Sequence, residues 1–378
     1  MTTGARGHMT VSILDNDHVL NLVAAILEGP ATETESTLRA FFAPEQVEVD
    51  DLYRLGSGLG PARVIGPPSG YGSIGTGSEE TTAIVMRRGR LSTADLAAMP
   101  HLKLIQRLGS GRDIVDLEAA AARGIEVVFV PRPSLDWTAE HAILLMLALR
   151  KNLILGDRIV RRGELGVRST VPARRGDNIA APTEAAYNWA GMAGLSGLSG
   201  QTLGIVGMGE VGRRVADRAR AFGMTVIYTS RSPVTSATGG GDALQQVEMP
   251  ELLARSDIVS LHVPGTAENR GLVDAAFLKS MRSNALLINT SRGSLIDEDA
   301  LYSALRSGQI AGAGLDVHAT EPRSQPDRFA KLESTVMTPH VAAGSRTTVV
   351  SEIAAIFDGL RRHGRALAAQ TKTRRDDR

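Results

Sequence analysis

Short apolar runs alternate along this chain with stretches whose apolar residues recur at helical spacing. Residues 102–108, 127–130, 202–206, 225–229, 258–263, 285–289 and 313–317 read as short buried strands. Residues 113–123, 138–151, 211–222, 275–281 and 297–307 read as helices between them. That alternation predicts an α/β protein in which helices cover parallel, doubly wound sheets. Residues 11–14 and 47–52 are thinner strand candidates near the start. The Gly/Ser/Pro-rich stretch 56–80 and the irregular stretch 161–200 are predicted loops, and the mixed-charge tail after Leu360 is predicted to fray.

Composition narrows the chemistry. The chain has 378 residues, enough for two domains without disulfide staples. Lys plus Arg total 42 against 41 Asp plus Glu, a net charge of +1, which points to neither nucleic acid nor an anionic membrane as partner. The apolar run 142–149 is too short to span a bilayer, and the first ten residues lack the apolar core of a signal peptide, so a cytoplasmic location is expected. With no Cys, disulfides, thiolate-held zinc, iron–sulfur clusters and a thiol nucleophile are excluded. No metal site is expected.

The sequence GMGEVG, with Gly207, Gly209 and Gly212 around Glu210 and Val211, follows the strand at 202–206 and opens a helix. Between strand and helix, such glycines permit a tight turn, close approach of a pyrophosphate, and close helix packing, while the helix N-terminus offers free N–H groups. Dinucleotide-binding folds usually carry an acid about 20 residues further on, to hold the adenosine ribose hydroxyls. Here Ser230, Arg231 and Ser232 stand after the next strand instead. An acid would repel a 2′-phosphate, whereas a guanidinium flanked by hydroxyls binds one, so NADP(H) is the preferred cofactor. The other reading of Arg231, a surface charge stacked over adenine, leaves NAD(H) in use as well.

Three polar residues stand at the ends of later strands, where ligands of open α/β sheets bind: Arg292, Glu321 and His340. A guanidinium grips a carboxylate with two prongs, and an imidazole exchanges a proton with a carbonyl or hydroxyl oxygen. A carboxylate beside that imidazole orients it and favours the proton-bearing form. Together with a nicotinamide, these serve hydride chemistry on a 2-oxo acid. Taken singly, each residue has a structural reading too, and spacing alone does not decide.

The same residues lie in blocks that resemble the D-isomer-specific 2-hydroxyacid dehydrogenase family, which includes glyoxylate/hydroxypyruvate reductases. The blocks are LIQRLGSGRDIVDL at 104–117, WTAEHA at 137–142, the glycine loop, LHVP at 261–264, INTSRGSLI at 288–296, GAGLDV at 312–317 with Glu321 and Pro322, and TPHV at 338–341. They occur in the family's order.

This resemblance implies two Rossmann-like domains. Residues 1–131 with 341–378 would form a flavodoxin-like substrate domain, and 132–340 a doubly wound NAD(P)-binding domain. Arg292 would bind the substrate carboxylate and carbonyl, His340 would act as acid/base, and Glu321 would pair with His340. The backbone at Ser110 and Gly111 would hold the carboxylate. Thr290, Ser291, Arg292, Asp316 and Ala343 would border the nicotinamide. His262, Val263 and Pro264 would line the cofactor, His262 at its adenosine end. Asn269 stands where the family often has Thr beside the cofactor. His8, His18, His101, His318 and His363 read as structural or surface residues. The family further implies a homodimer and a small 2-oxo or 2-hydroxy acid as substrate. Residues 1–82 match the family poorly, 56–80 looks like an insertion, and 163–186 is longer than usual. Two other activities share the Arg–Glu–His set: a cofactor-sensing, corepressor-like interaction protein and a phosphite dehydrogenase-like enzyme.

Overall fold

The computed structural model describes residues 9–15, 17–43, 45, 47–57, 59, 62–65, 78–109, 114–163, 188, 190–231, 244–323 and 328–376. The chain divides into two compact units, Met1–Ser134 with Gly344–Arg378, and Leu135–Ala343.

The first unit holds β1 (Met9–Ile13), α1 (His18–Glu28), α2 (Thr32–Phe42), α3 (Val49–Gly56), β2 (Ala62–Ile65), β3 (Ala83–Met86), α4 (Thr93–Ala97), β4 (Leu104–Leu108), α5 (Leu117–Ala122) and β5 (Glu126–Val130), and is completed by α12 (Thr347–Asp376). Its five strands pair in parallel in the order β2-β1-β3-β4-β5, the flavodoxin-like winding. Strand alternation sorts the core. Ala83 and Val85 face one side with α1, α2, α3 and α12, whereas Ile84 and Met86 face the other with α4 and α5.

Three expectations change here. Residues 62–65, within the predicted loop, form edge strand β2, because β1 supplies a parallel partner that no local pattern shows. The strand candidate 47–52 falls instead at helix α3, whose Val49 and Leu52 are buried one turn apart while Asp50 and Asp51 favour its N-terminus. The tail does not fray after Leu360. Ile353, Ile356, Phe357 and Leu360 seat α12 on the core at helical spacing, and propagation from that anchored segment carries the helix to Asp376.

The second unit contains α6 (Pro133–Arg150) from Leu135 onward, α7 (Leu153–Arg162), β6 (Thr202–Val206), α8 (Glu210–Ala221), β7 (Thr225–Thr229), β8 (Gln245–Gln246), α9 (Met249–Arg255), β9 (Ile258–Leu261), α10 (Ala275–Ser280), β10 (Leu286–Asn289), α11 (Glu298–Ser307), β11 (Gly312–Leu315) and β12 (Thr335–Met337). Its seven strands are all parallel, ordered β12-β11-β10-β9-β6-β7-β8. Chain order reverses at β6, so the crevice between β6 and β9 is the switch point where a doubly wound sheet binds its ligand. Leucine, isoleucine and valine fill both faces of this sheet, which is why its strands read as continuous apolar runs. No described helix is long and apolar enough to cross a membrane.

Candidate active site

The glycine loop forms the sharp turn from β6 into α8. Gly207 has φ +97°, and a Cβ there would lie 2.7 Å from both the His262 carbonyl oxygen and Val263 Cγ1. A Cβ at Gly212 would press into the Gly207 carbonyl, so both glycines are dictated by close backbone packing. Gly209 differs. It is the N-cap of α8, no side chain caps the helix there, and nothing lies within 4 Å of where its Cβ would be. An uncapped N-terminus under open space fits a diphosphate, whose oxygens would take the N–H groups around Glu210 and Val211. Thr290 Oγ1 and His262 Nδ1 are buried polar atoms without a partner, as donors and acceptors awaiting a bound group would be. The residues present therefore fit a dinucleotide.

Past β7, Arg231 is exposed and Ser230 half-buried, while Gln246 Nε2 donates to the Ser230 carbonyl at 2.8 Å. Ser232 lies outside the described residues, as do Ser110, Gly111 and most of the two long loops.

His262 follows β9. Its Nε2 is 2.8 Å from Ser260 Oγ, and although a rim of the residue reaches solvent, Nδ1 is enclosed. Burial pushes the imidazole down to about 4, so it is neutral at ordinary pH. Asn269 turns its amide onto the Pro264 carbonyl at 2.9 Å, closing the loop after β9.

Arg292 is set by its surroundings. Buried Asn289, at the end of β10, accepts from Ser291 N at 3.0 Å and donates to the Arg292 carbonyl at 2.9 Å, bracketing the turn. Ser291 Oγ donates to the Leu261 carbonyl at 2.8 Å. The aliphatic stem of Arg292 lies over Gly265, where an added Cβ would meet Arg292 Cβ and Cγ at 2.9 Å. Gly293 presses against the loop after β11. A Cβ on it would be 2.6 Å from Ala319 N and closer still to the His318 carbonyl.

That loop carries Glu321. The carboxylate accepts from His318 N through Oε1 at 2.8 Å, and its Oε2 lies 2.6 Å from His340 Nδ1. Partial burial opposes its charge, but the His340 and His318 hydrogen bonds and the two imidazoles outweigh burial and lower the Glu321 pKa. An ionised carboxylate only accepts, so Nδ1 of His340 donates and Nε2 is left for a substrate. Glu298, at the start of α11, steadies the loop by accepting from Ala319 N at 3.0 Å and pairing with Arg323.

His340 follows β12 in a left-handed conformation, φ 55°. Asp316, fully buried after β11, holds that turn. Its carboxylate accepts from Thr338 Oγ1 at 2.6 Å, and from Val341 N and Ala342 N, each at 2.9 Å. Its carbonyl takes His340 N at 2.8 Å. Thr338 Oγ1 spends its one proton on Asp316, so His141 Nε2, 2.9 Å away on α6, donates to it. Ala343, next along, is exposed.

In spatial order, then, His340 follows β12, Glu321 follows β11, Arg292 follows β10, His262 and Val263 follow β9, and Gly207 follows β6. Adjacent strand ends bring together residues far apart in the sequence. Asn289, Gly293, Glu298 and His141 were missed, because each acts on main chain or on another side chain rather than exposing a reactive group. The polar residue closing an apolar strand at Asn289 was the one available signal. Among the described residues, no cluster of three or more His, Asp and Glu could hold a metal ion.

A doubly wound sheet with an open glycine turn at its switch point, and an imidazole–carboxylate pair three and four strands along from that turn, defines a nicotinamide-dependent oxidoreductase. The sequence model described as "D-isomer specific 2-hydroxyacid dehydrogenase, NAD binding domain" matches residues 143–342. A glyoxylate reductase of Thermococcus litoralis is 39% identical over 247 residues, 65% of this chain and 69% of that protein. A crystal structure of a glyoxylate reductase from Paecilomyes thermophila aligns with TM-score 0.54 and 27% identity, over 94% of both chains. The NADPH-dependent glyoxylate/hydroxypyruvate reductase of Sinorhizobium meliloti, in complex with NADP and malonate, aligns with TM-score 0.50 and 25% identity over 93% of this chain and 91% of that one. The chain belongs to the D-isomer specific 2-hydroxyacid dehydrogenase family and is an NAD(P)-dependent enzyme of that kind.

Proposed function

We propose that this enzyme reduces small 2-oxo acids of the glyoxylate/hydroxypyruvate kind to D-2-hydroxy acids, with NADPH preferred over NADH. The observation that carries the reading is the 2.6 Å contact between His340 Nδ1 and Glu321 Oε2, at the ends of the two strands next to that of Arg292. When bound, the reduced nicotinamide supplies the hydride that adds to the keto carbon. Arg292 grips the substrate carboxylate and polarises the carbonyl, an orienting and electrostatic task. His340 gives the proton on Nε2 to the carbonyl oxygen, and Glu321 stabilises the imidazolium through Nδ1. Unit Leu135–Ala343 carries the glycine turn that would take the dinucleotide, together with Arg292, Glu321 and His340.

The cofactor preference rests on Arg231 standing where an acid would repel a 2′-phosphate. Self-association as a homodimer is supported by α7, which buries none of its own residues. Leu153, Ile154 and Val160 on it are 51%, 60% and 65% exposed. A scan of glyoxylate, hydroxypyruvate, pyruvate and phenylpyruvate with NADPH and with NADH tests the assignment, with phosphite plus NADP+ or NAD+ as a further arm. Cofactor oxidation by glyoxylate or hydroxypyruvate, faster with NADPH, is the expected result. Silence with every 2-oxo acid would overturn it.

A further inference from the structure

His318 matches no catalytic role in the sequence, yet it bonds Glu321 directly and reaches the turn that carries His340 through Thr338. Its main-chain N–H donates to Glu321 Oε1 at 2.8 Å. Its ring Nε2 lies 2.9 Å from the carbonyl oxygen of Thr338, two residues before His340. A carbonyl oxygen only accepts, so Nε2 carries the proton and donates. The other ring nitrogen, Nδ1, is enclosed and has no hydrogen-bond partner, so the Thr338 carbonyl is what fixes the ring's direction. That carbonyl is no bystander. It also accepts from His340 N at 3.1 Å, within the turn that puts His340 at φ 55°. The main chain of His318 is in turn pinned by Gly293, beside Arg292.

Three constraints therefore converge on one residue: the Arg292 turn through Gly293, Glu321 through the main-chain N–H, and the His340 turn through the side chain. Asp316 and His141 hold Thr338 by its hydroxyl, leaving its carbonyl to His318. A non-glycine residue in the left-handed region persists only where neighbours hold it there. A small rotation of the Thr338 peptide would relax His340 and carry its ring away from Glu321.

We propose that His318 is a positioning residue, whose Nε2–H holds the Thr338 carbonyl so that His340 stays in register with Glu321. This rests on the reading of Glu321 and His340 as the acid/base pair. A ring that merely filled space would be replaceable by any ring of similar size. The test compares His318→Phe, which keeps the main-chain contact and bulk but loses the donor, with His318→Gln, whose side-chain amide can donate at similar reach. His318→Asn, too short to reach, replaces the Phe variant if that one fails to fold, and His340→Gln is run beside them. Measured are kcat and KM for the 2-oxo acid, NADPH binding by fluorescence, and Tm.

Expected for His318→Phe is a loss of kcat of about tenfold, the scale of one misaligned hydrogen bond, with KM and NADPH binding within about twofold. His318→Gln is expected to recover most of kcat. Wild-type kcat in His318→Phe or His318→Asn, or equal losses in the Phe and Gln variants, would overturn the positioning role while His340→Gln stays inactive. Normal turnover in His340→Gln would instead overturn the acid/base reading beneath it.

Discussion

Replacing Gly293 by Ala adds a single methyl group at the point where the Arg292 turn meets the loop bearing Glu321. The new Cβ would stand 2.6 Å from Ala319 N, and nearer still to the His318 carbonyl, whereas ordinary contact begins at 3.4 Å. Every atom in the way is main chain, so no rotamer change relieves the overlap. The loop must retreat by about 0.8 Å at Ala319 and further at His318. Gly293 does not have a positive φ, so the effect is steric rather than conformational. The retreat strains the His318 N bond to Glu321 at 2.8 Å and the Ala319 N bond to Glu298 at 3.0 Å. Overpacking of this kind costs about 1–3 kcal/mol, and a misplacement near 1 Å at reacting groups costs about 10²-fold in rate. Differential scanning calorimetry should therefore show Tm lower by a few degrees, and steady-state assays a kcat reduced about 10²-fold. Gly209→Ala is the control. Nothing crowds its Cβ, so Tm should hold while NADPH binds more weakly. A Gly293→Ala enzyme with native Tm and kcat within twofold would show that the loop after β11 is not held by this close approach.

Other expectations follow from single groups. His262 has a folded pKa of about 4 against an ordinary 6.5, so the unfolded chain takes up the proton first. Its contribution is full above pH 6.5 and is lost as pH falls toward 4, a total of roughly 3 kcal/mol. Urea midpoints measured from pH 7.5 down to 4.5 should show that slope, and His262→Gln should lack it; equal slopes would contradict the burial argument. Arg231→Asp should raise KM for NADPH by about tenfold or more and leave NADH little changed, as removal of a charge-assisted phosphate contact requires. An unaltered preference would remove Arg231 from the cofactor site. Ile154→Asp should convert a dimer to monomer by light scattering without loss of secondary structure, and an unchanged mass would place any interface elsewhere.

How much of this was legible depended on whether the signal was local. Strands β6 and β7 match their predicted limits, 202–206 and 225–229, because a strand buried on both faces is an uninterrupted apolar run. Edge strand β2 reads as loop, since its register comes from β1, more than fifty residues earlier. Helix α3 reads as strand because a few apolar residues in a short segment fit either period. At the site, Arg292, Glu321 and His340 were legible as reactive side chains in recognisable blocks. Asp316 was legible as a position, but its work of holding the His340 turn by two main-chain N–H groups was not. Gly293, Asn289 and His141 were silent for the same reason: a glycine, an amide and a helical histidine acquire meaning only from the backbone opposite them.

In the proposed mechanism His340, held by Glu321, gives the proton that completes reduction while other residues bind the cofactor. That division of labour is checked by titrating NADPH into wild type and His340→Gln by fluorescence, and following NADPH oxidation with glyoxylate and hydroxypyruvate in the same preparations. Expected are equal NADPH affinity and turnover lowered by about 10²–10⁴-fold in the variant, the scale of general acid catalysis. Turnover within a few-fold of wild type would mean that His340 is not the proton donor.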